Sequence, residues 1–326
     1  MVCVGHNLKN DKFAGTGEGE ITTDIEESDL EKAIQFLNHK DVPKKELYGY
    51  ERQKMAGLGR GISVVRGGFA EVVAFGFPGT GKSDFPYVLV NLFEDKLDAR
   101  FSLAYIKCDR FAGKLTSEIV GKIMETIDCA LKNTPSIIAF DEIDTLALPI
   151  DEIPTTIAPL AQWLRGLGDE TQTFQKVILL AATNYPRRVD VGVFRRFRTA
   201  IYFEMTDENV LTEMIEKELK IDERMARKAA QKLFKEMEKC ELTILGCNAF
   251  DACKQSFQEL RRDKIDWNLL SSDRIVEMLM PNIGPGGFKK NVDDWMEKNR
   301  GLIEFSLKHQ MPYLVAIAER YLERIK

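Results

Sequence analysis

The chain has 326 residues, 44% hydrophobic and 30% charged, with a formal net charge of −5. That length supports more than one compact unit, and the acidic balance excludes an overall basic field of the kind that draws a protein onto nucleic acid or anionic membrane. Six cysteines form no C-x-x-C pair, which argues against a disulfide or zinc framework and for a reducing compartment. No apolar run approaches the roughly 20 residues of a membrane span. The start Met1-Val2-Cys3-Val4-Gly5 lacks a basic stretch followed by an apolar core. The expected location is the cytoplasm, with organelle stroma and nucleus left open, and no membrane insertion is expected.

Residues 1–45 are polar, with an acidic cluster from Asp24 to Glu31, and read as an N-terminal arm. Within it Leu30, Ala33, Ile34 and Leu37 recur at helical spacing, which predicts one short helix, either docked on the main domain or solvated. Val72-Val73-Ala74-Phe75 predicts a buried strand, followed by a glycine-rich loop and a helix whose first turns Pro86 makes irregular. Leu103–Ile106 predicts the next strand, and Ile119, Val120, Ile123, Met124, Ile127 and Leu131 mark one face of a helix. Strands follow at Ser136–Phe140 and, after a polar helix-and-loop segment to Gln175, at Val177–Ala181. Short, fully apolar strands alternating with amphipathic helices predict an α/β fold with a parallel sheet covered on both faces.

From Asp207 the pattern is helical only. Asp207 and Asp222 cap helices carrying Val210, Leu211, Met214 and Ile215, then Met225, Ala229, Leu233 and Phe234. Pro281, Gly284, Pro285, Gly286 and Gly287 break the chain before helices around Trp295 and from Leu314 to Ile325. The expected division is an arm (1–45), an α/β domain (46–205), a small all-α lid (206–265) and a C-terminal helical extension (266–326). The last helix is expected to pack on the lid, with a role in subunit contact left open.

The loop after the first strand reads Gly76-Phe77-Pro78-Gly79-Thr80-Gly81-Lys82-Ser83, a complete G-x-x-x-x-G-K-S phosphate loop. Its glycines let backbone N–H groups close on phosphates, its lysine reaches the β and γ oxygens, and its serine hydroxyl ligates Mg²⁺. Phe140-Asp141-Glu142 ends a later strand. The carboxyl ends of strands face the ligand crevice in an open parallel sheet, so Asp141 suits the metal shell and Glu142 the activation of water. Ala182-Thr183-Asn184 ends the Val177 strand, where the Asn184 amide can sense a terminal phosphate. Phe194-Arg195-Arg196-Phe197 supplies cations of the kind that, given in trans, accelerate phosphoryl transfer by roughly 10³ to 10⁵.

In this order, continued through Asn184-Tyr185-Pro186 and Asp190 to Arg195-Arg196-Phe197, the motifs resemble those of the AAA ATPases, within the AAA+ superfamily. The R-R-F ending is similar to the katanin, spastin and ESCRT-disassembly subgroup. The resemblance covers about Glu46 to Asp266. It implies an ATP- and Mg²⁺-dependent ATPase with Gly76, Pro78, Gly79, Thr80, Gly81, Lys82, Ser83 and Asp84 at the nucleotide, and Ser83 and Asp141 at the metal. It also implies Glu142 as water activator, Asn184 as first sensor, and Arg195 and Arg196 as fingers reaching a neighbouring subunit. Tyr48 and Gly49 occupy the place of the family's adenine-contacting segment. Gly246-Cys247-Asn248-Ala249-Phe250-Asp251 has the spacing of its G-Y-S-G-A-D lid motif, which implies Ala249 as a nucleotide-binding residue, although Ala249 and Phe250 are departures from the motif; Arg187-Arg188 stand where acids are usual.

Fingers in trans imply a homo-oligomeric ring, a hexamer by the resemblance. Arg110-Phe111-Ala112-Gly113-Lys114 is similar to the family's pore loop, which would put Phe111, Ala112 and Gly113 at a central channel; the alternative for Phe111 is ordinary core packing. The leading expectation is a ring that remodels, unfolds or disassembles a protein partner by threading it past Phe111. The alternatives are a DNA-associated loader or helper ATPase, which the acidic charge disfavours, and a nucleotide-gated assembly factor that does not translocate.

Overall fold

The computed structural model describes residues 27–111, 116–147, 160, 163, 164, 174–262, 270–283 and 288–325. The strands among them are β1 (Ile34–Leu37), β2 (Phe69–Gly76), β3 (Ser102–Lys107), β4 (Ser136–Asp141), β5 (Val177–Thr183) and β6 (Thr199–Phe203). They form one sheet in the order β1-β3-β4-β5-β2-β6. Every pair among β2 to β6 is parallel. Strands β4, β5 and β6 are buried at every position, because helices cover both faces, and this is why they read as unbroken apolar runs. Parallel register also brings the carboxyl ends of β2, β4 and β5 to one edge, with Phe75 opposite Thr183 and Phe140 opposite Ala181. That edge is where the ligand crevice of an open α/β sheet lies.

Helices α1 (Glu27–Ala33), α2 (Glu51–Val65), α3 (Phe85–Leu97), α4 (Ser117–Lys132) and the single turn α5 (Val191–Phe194) accompany the sheet. The lid contains α6 (Glu208–Leu219), α7 (Glu223–Lys239), α8 (Gly246–Arg262) and α9 (Ser272–Leu279). The Asp207 and Asp222 carboxylates accept from the Val210 and Met225 N–H groups at 2.8 and 3.0 Å, starting α6 and α7 where the sequence places them. The C-terminal pair is α10 (Lys289–Phe305) and α11 (Met311–Ile325), joined without a break by a π-helical turn, Ser306–Gln310. Two hydrophobic cores result. One joins the sheet to the helices beside it and to α10 and α11; the other joins Leu211, Leu233, Ala249, Leu260 and Ile275 within the lid. None of the described helices is long and apolar enough to cross a membrane.

The structure differs from the sequence expectations in several places. Residues 34–37, expected to continue the arm's helix, instead form β1, an antiparallel edge strand with Ile34 opposite Ile106 and Leu37 opposite Leu103. The exposed edge of β3 offers backbone groups that a strand satisfies and a helix does not. Strand β6 is absent from the sequence reading, since five residues after an arginine cluster show no periodicity of their own. The lid core includes Leu270, Ile275, Leu279 and Ile283, so lid packing runs past residue 265.

Helix α11 was expected on the lid but lies on α2 of the α/β domain, with Met311, Leu314 and Ala318 in the first core. The crossing depends on Gly59: a Cβ there would stand 2.4 Å from the Leu314 carbonyl oxygen. An apolar stripe states that a helix face is buried and leaves its partner unstated.

The π turn closes the outer edge of β6. Its other edge pairs with β2, Val73 opposite Ala200 and Phe75 opposite Tyr202. On the outer edge, Ser306 Oγ accepts from the Tyr202 N–H at 3.1 Å and donates to the Ala200 carbonyl at 2.6 Å. The Gln310 amide accepts from the Ala200 N–H and donates to the Arg198 carbonyl. Two side chains thus satisfy backbone groups that a seventh strand would otherwise pair.

Candidate functional site

The loop after β2 turns on Gly79 and Gly81, at φ of 78° and 88°, left-handed conformations that glycine adopts without a steric cost. At Gly81 a Cβ would also fall 2.4 Å from Leu47 Cδ1. The turn folds Lys82 inward to 5% exposure, where Nζ donates to the Phe77 carbonyl at 2.7 Å and to Thr80 Oγ1 at 3.1 Å. Burial pulls its pKa down to about 7, while the fields of Asp141, Glu142 and Asp144 act in the opposite direction. A buried ammonium held only by neutral oxygens among the described residues is a seat for an anion. Helix α3 begins at Phe85 with Asp84 as N-cap and Pro86 in its first turn, where a missing N–H costs nothing. Lys82 and Ser83 therefore precede the helix, and its positive end adjoins the loop.

Asp141, at the end of β4, receives two hydroxyls. Ser83 Oγ donates to Oδ1 at 3.1 Å, and Tyr105 OH, from β3, donates to Oδ2 at 2.7 Å. A serine hydroxyl beside a carboxylate is a hard-oxygen donor set that fits Mg²⁺. Glu142 follows in the left-handed region, at φ 53° and ψ 48°, an uncommon conformation for a side chain of its size and one that collects at functional sites. Its carboxyl pKa is raised by burial and then by the charges of Asp109, Asp141 and Asp144, a shift that makes it a better proton acceptor. Asn184 Nδ2 reaches Glu142 Oε1 at 3.5 Å, the limit of hydrogen-bond range. Behind them Thr183 Oγ1 donates to buried Asp144, whose pKa burial raises and the Thr183 bond lowers.

A cavity of about 270 Å³ lies between this loop and the lid, lined by Tyr48, Gly79, Gly246, Cys247 and Phe250 among others. The Tyr48 and Phe250 rings pack at 6.0 Å. Lid helix α6 fastens the segment: Tyr48 OH donates to Glu218 at 2.6 Å and the Gly49 N–H to Glu213 at 2.9 Å. The Cys247 N–H, at the start of α8, donates to the Gly79 carbonyl at 3.2 Å. Here one sequence assignment is corrected. Ala249 is fully buried in the lid core, and the side chains that line the cavity from α8 are Cys247, Phe250 and Asp251, because the helical period turns position 249 away from it.

Gly76 ends β2 beneath Phe203, Thr80 is buried, and the Asp84 carboxylate receives Lys45. Pro78 borders a different cavity, with Phe77 and Trp295. The α5 turn is started by Asp190, whose carboxylate accepts from the Val193 N–H at 3.2 Å. Its buried Val193 and the following Phe197 anchor the segment between them. Arg195 is exposed there and its guanidinium has no partner among the described residues, whereas Arg196 is half-buried. Arg198 lies 3.7 Å from Glu71.

Phe111 is the second correction. It ends the turn Cys108–Phe111 with no exposed surface and belongs to the first core. An aromatic immediately after a buried strand gains about 1.5–3 kcal/mol by entering the core, so it is not presented at the surface to a passing chain. Ala112 and Gly113 lie outside the described residues.

Sequence reasoning missed Tyr105, Asp144 and Trp295. Asp144 carried a weak signal, a third acid in the Asp141-Glu142-Ile143-Asp144 run; Tyr105 carried none, since only the adjacency of β3 and β4 brings it to Asp141. Trp295 Nε1 donates to the Asn184 carbonyl at 2.8 Å across more than a hundred residues.

The profile of the ATPase family associated with various cellular activities (AAA) matches residues 72–205. The chain is similar to a Cell division cycle protein 48 homolog of Archaeoglobus fulgidus, 25% identical over 229 residues covering 69% of this chain and 29% of that one. It is similar to a putative 26S proteasome regulatory subunit homolog of Methanothermobacter thermautotrophicus, 27% identical, covering 45% and 38%. A spastin homolog of Caenorhabditis elegans is 28% identical, covering 46% and 28%. The chain thus spans well under half the length of these curated relatives. In fold it is similar to the crystal structure of the FIGL-1 AAA domain in complex with ADP, with a TM-score of 0.59, 18% identity, and 86% and 98% of the two chains covered. Around a phosphate loop, an acidic strand end and the Asn184 amide that meet at one sheet edge, residues 72–205 of this chain form an ATPase domain of the AAA family.

Proposed function

We propose that the protein hydrolyses MgATP in a homo-oligomeric ring and uses the cycle to remodel or disassemble a protein partner. The observation that carries the reading is the division of the catalytic set. Lys82, Ser83, Asp141, Glu142 and Asn184 are linked on one sheet edge by contacts and fields, while the Arg195 guanidinium stands exposed with no partner among the described residues. One chain would then supply one half of a site and the cation for another.

In this reading Lys82 holds the phosphates, and the Ser83 hydroxyl with the Asp141 carboxylate holds the metal, with Tyr105 fixing the carboxylate's rotation. The metal when bound neutralises charge on the phosphate oxygens. Glu142 accepts a proton from the attacking water, and Asn184 orients it beside Glu142. The buried Phe111 gives no support to threading past that ring, so the remodelling reading rests on nucleotide-driven ring contacts, with protein partners suggested by the relatives' names. Nucleic acid as partner has no support beyond local basic residues.

The test is a Glu142→Gln variant with ATP. It should bind nucleotide, hydrolyse at under about 1% of the wild-type rate, sediment as a closed oligomer and retain a protein partner that the wild type releases. If wild-type turnover per chain is unchanged on dilution to monomers, or Arg195→Ala retains full activity, the shared-site reading is wrong.

A further inference from the structure

Trp295 belongs to the C-terminal helix pair, outside every motif that marks the nucleotide site, yet it touches that site twice. Its indole N–H donates to the main-chain carbonyl of Asn184 at 2.8 Å. Its ring meets the edge of Phe77 at 6.0 Å and 89°, and its other neighbour is Tyr202 of β6, stacked at 6.4 Å and 16°. The contacts to Asn184 and Phe77 fall on residues that hold catalytic groups. The Asn184 side chain reaches Glu142, and the Phe77 carbonyl accepts from the Lys82 ammonium. Asn184 lies just past the last residue of β5, where the strand ladder has ended, so its backbone takes its position from contacts such as this one.

The ring is 7% exposed and its helix is secured one turn on, where Asn299 Nδ2 donates to the Trp295 carbonyl at 2.8 Å. A cavity of about 500 Å³, bordered by Phe77, Tyr185, Arg188, Trp295 and Asn299, lies beside it. The indole is therefore fastened to the sensor and the phosphate loop, with open volume alongside into which a shift of either can be taken up.

We propose that Trp295 is a positioning residue for hydrolysis: it sets the backbone of Asn184 and the entry of the phosphate loop, and so makes α10 part of the nucleotide-sensing apparatus. The proposal rests on the reading above that ATP is hydrolysed with Asn184 facing the terminal phosphate. Trp295→Phe keeps an aromatic ring against Phe77 and Tyr202 and deletes the donor. It should lower kcat about fivefold, the equivalent of one lost neutral hydrogen bond, with KM for ATP and the melting temperature nearly unchanged. Trp295→Ala should lower kcat further and weaken ADP binding as well, since the contact to Phe77 is lost too.

A spectroscopic arm is independent of turnover. With Trp163→Phe and Trp267→Phe in the Glu142→Gln background, Trp295 is the sole tryptophan, and its emission should differ between the ATP and ADP states. The difference should vanish on adding Asn184→Ala. An unchanged kcat in Trp295→Phe, or a loss matched by an equal loss of ADP affinity and thermal stability, overturns the proposal, as does identical emission with the two nucleotides. Absence of turnover in the wild type sinks the hydrolysis reading instead, and the emission arm then decides the role of Trp295.

Discussion

Replacing Ser306 by alanine tests whether the C-terminal helix pair completes the sheet. The hydroxyl has no exposed surface; it accepts from the Tyr202 N–H at 3.1 Å and donates to the Ala200 carbonyl at 2.6 Å. Alanine at 306 keeps the helix and nearly the same volume but leaves a buried donor and a buried acceptor without partners. Each such group costs about 1–3 kcal/mol, so the loss should be about 2–6 kcal/mol. For a chain of 326 residues that corresponds to a melting temperature lower by about 3–9 °C. Gln310 offers a comparison, because its bond to the Arg198 carbonyl is exposed and water can replace it; Gln310→Ala should cost about 1 kcal/mol. The assay is urea unfolding followed by circular dichroism, together with hydrogen exchange at the amides of Ala200 and Tyr202. Ser306→Ala should release protection at Tyr202 first, and Gln310→Ala at Ala200. A loss below about 0.5 kcal/mol in Ser306→Ala, or one equal to that of Gln310→Ala, would refute the idea that the π turn stands in for a strand.

Two further outcomes follow from the nucleotide site. Burial holds the Lys82 pKa at about 7 without nucleotide, so above that pH the free site loses a proton that phosphate binding must restore; ADP affinity should fall as pH rises, by about fivefold from pH 7 to 8 and up to about fiftyfold by pH 9, with matching proton uptake in calorimetry. By the same linkage the nucleotide-free protein gains stability between pH 7 and the ordinary lysine range, because the unfolded chain binds the extra proton there. Tyr105→Phe removes the hydroxyl that fixes Asp141 Oδ2 and should raise the Mg²⁺ concentration for half-maximal turnover severalfold with little change in melting temperature; an unchanged Mg²⁺ dependence would mean Ser83 alone orients the carboxylate.

The legible parts of this protein are those whose chemistry is written over consecutive residues. Glycines at 79 and 81, with lysine and serine directly after, dictate a turn that needs positive φ and a cation behind it, whatever surrounds them. Asp141 and Glu142 were legible because they close an apolar run, and such a run in an α/β chain ends at the ligand edge. Arg195 is marked only by its order along the chain, and its role as a finger belongs to the proposal.

The illegible parts are matters of which surface meets which. Residues 30–37 carry a helical spacing that an unpaired β3 edge overrides after Ala33. Phe111 fits a gripping loop as readily as a core, and the core takes it. Ala249 and its neighbours match a lid motif by spacing, but helical phase decides which of them reach the cavity.

By itself the sequence determined a nucleotide-binding α/β domain and singled out Lys82, Ser83, Asp141 and Glu142, which the fold brings to one sheet edge. Tertiary structure alone decided that Tyr105 supports Asp141, that Ser306 and Gln310 close β6, and that Trp295 holds Asn184. The physical reason is one of range. A turn or a strand end is fixed by neighbours within a few residues, whereas apolar stripes are interchangeable as sequence and acquire partners only when whole elements pack.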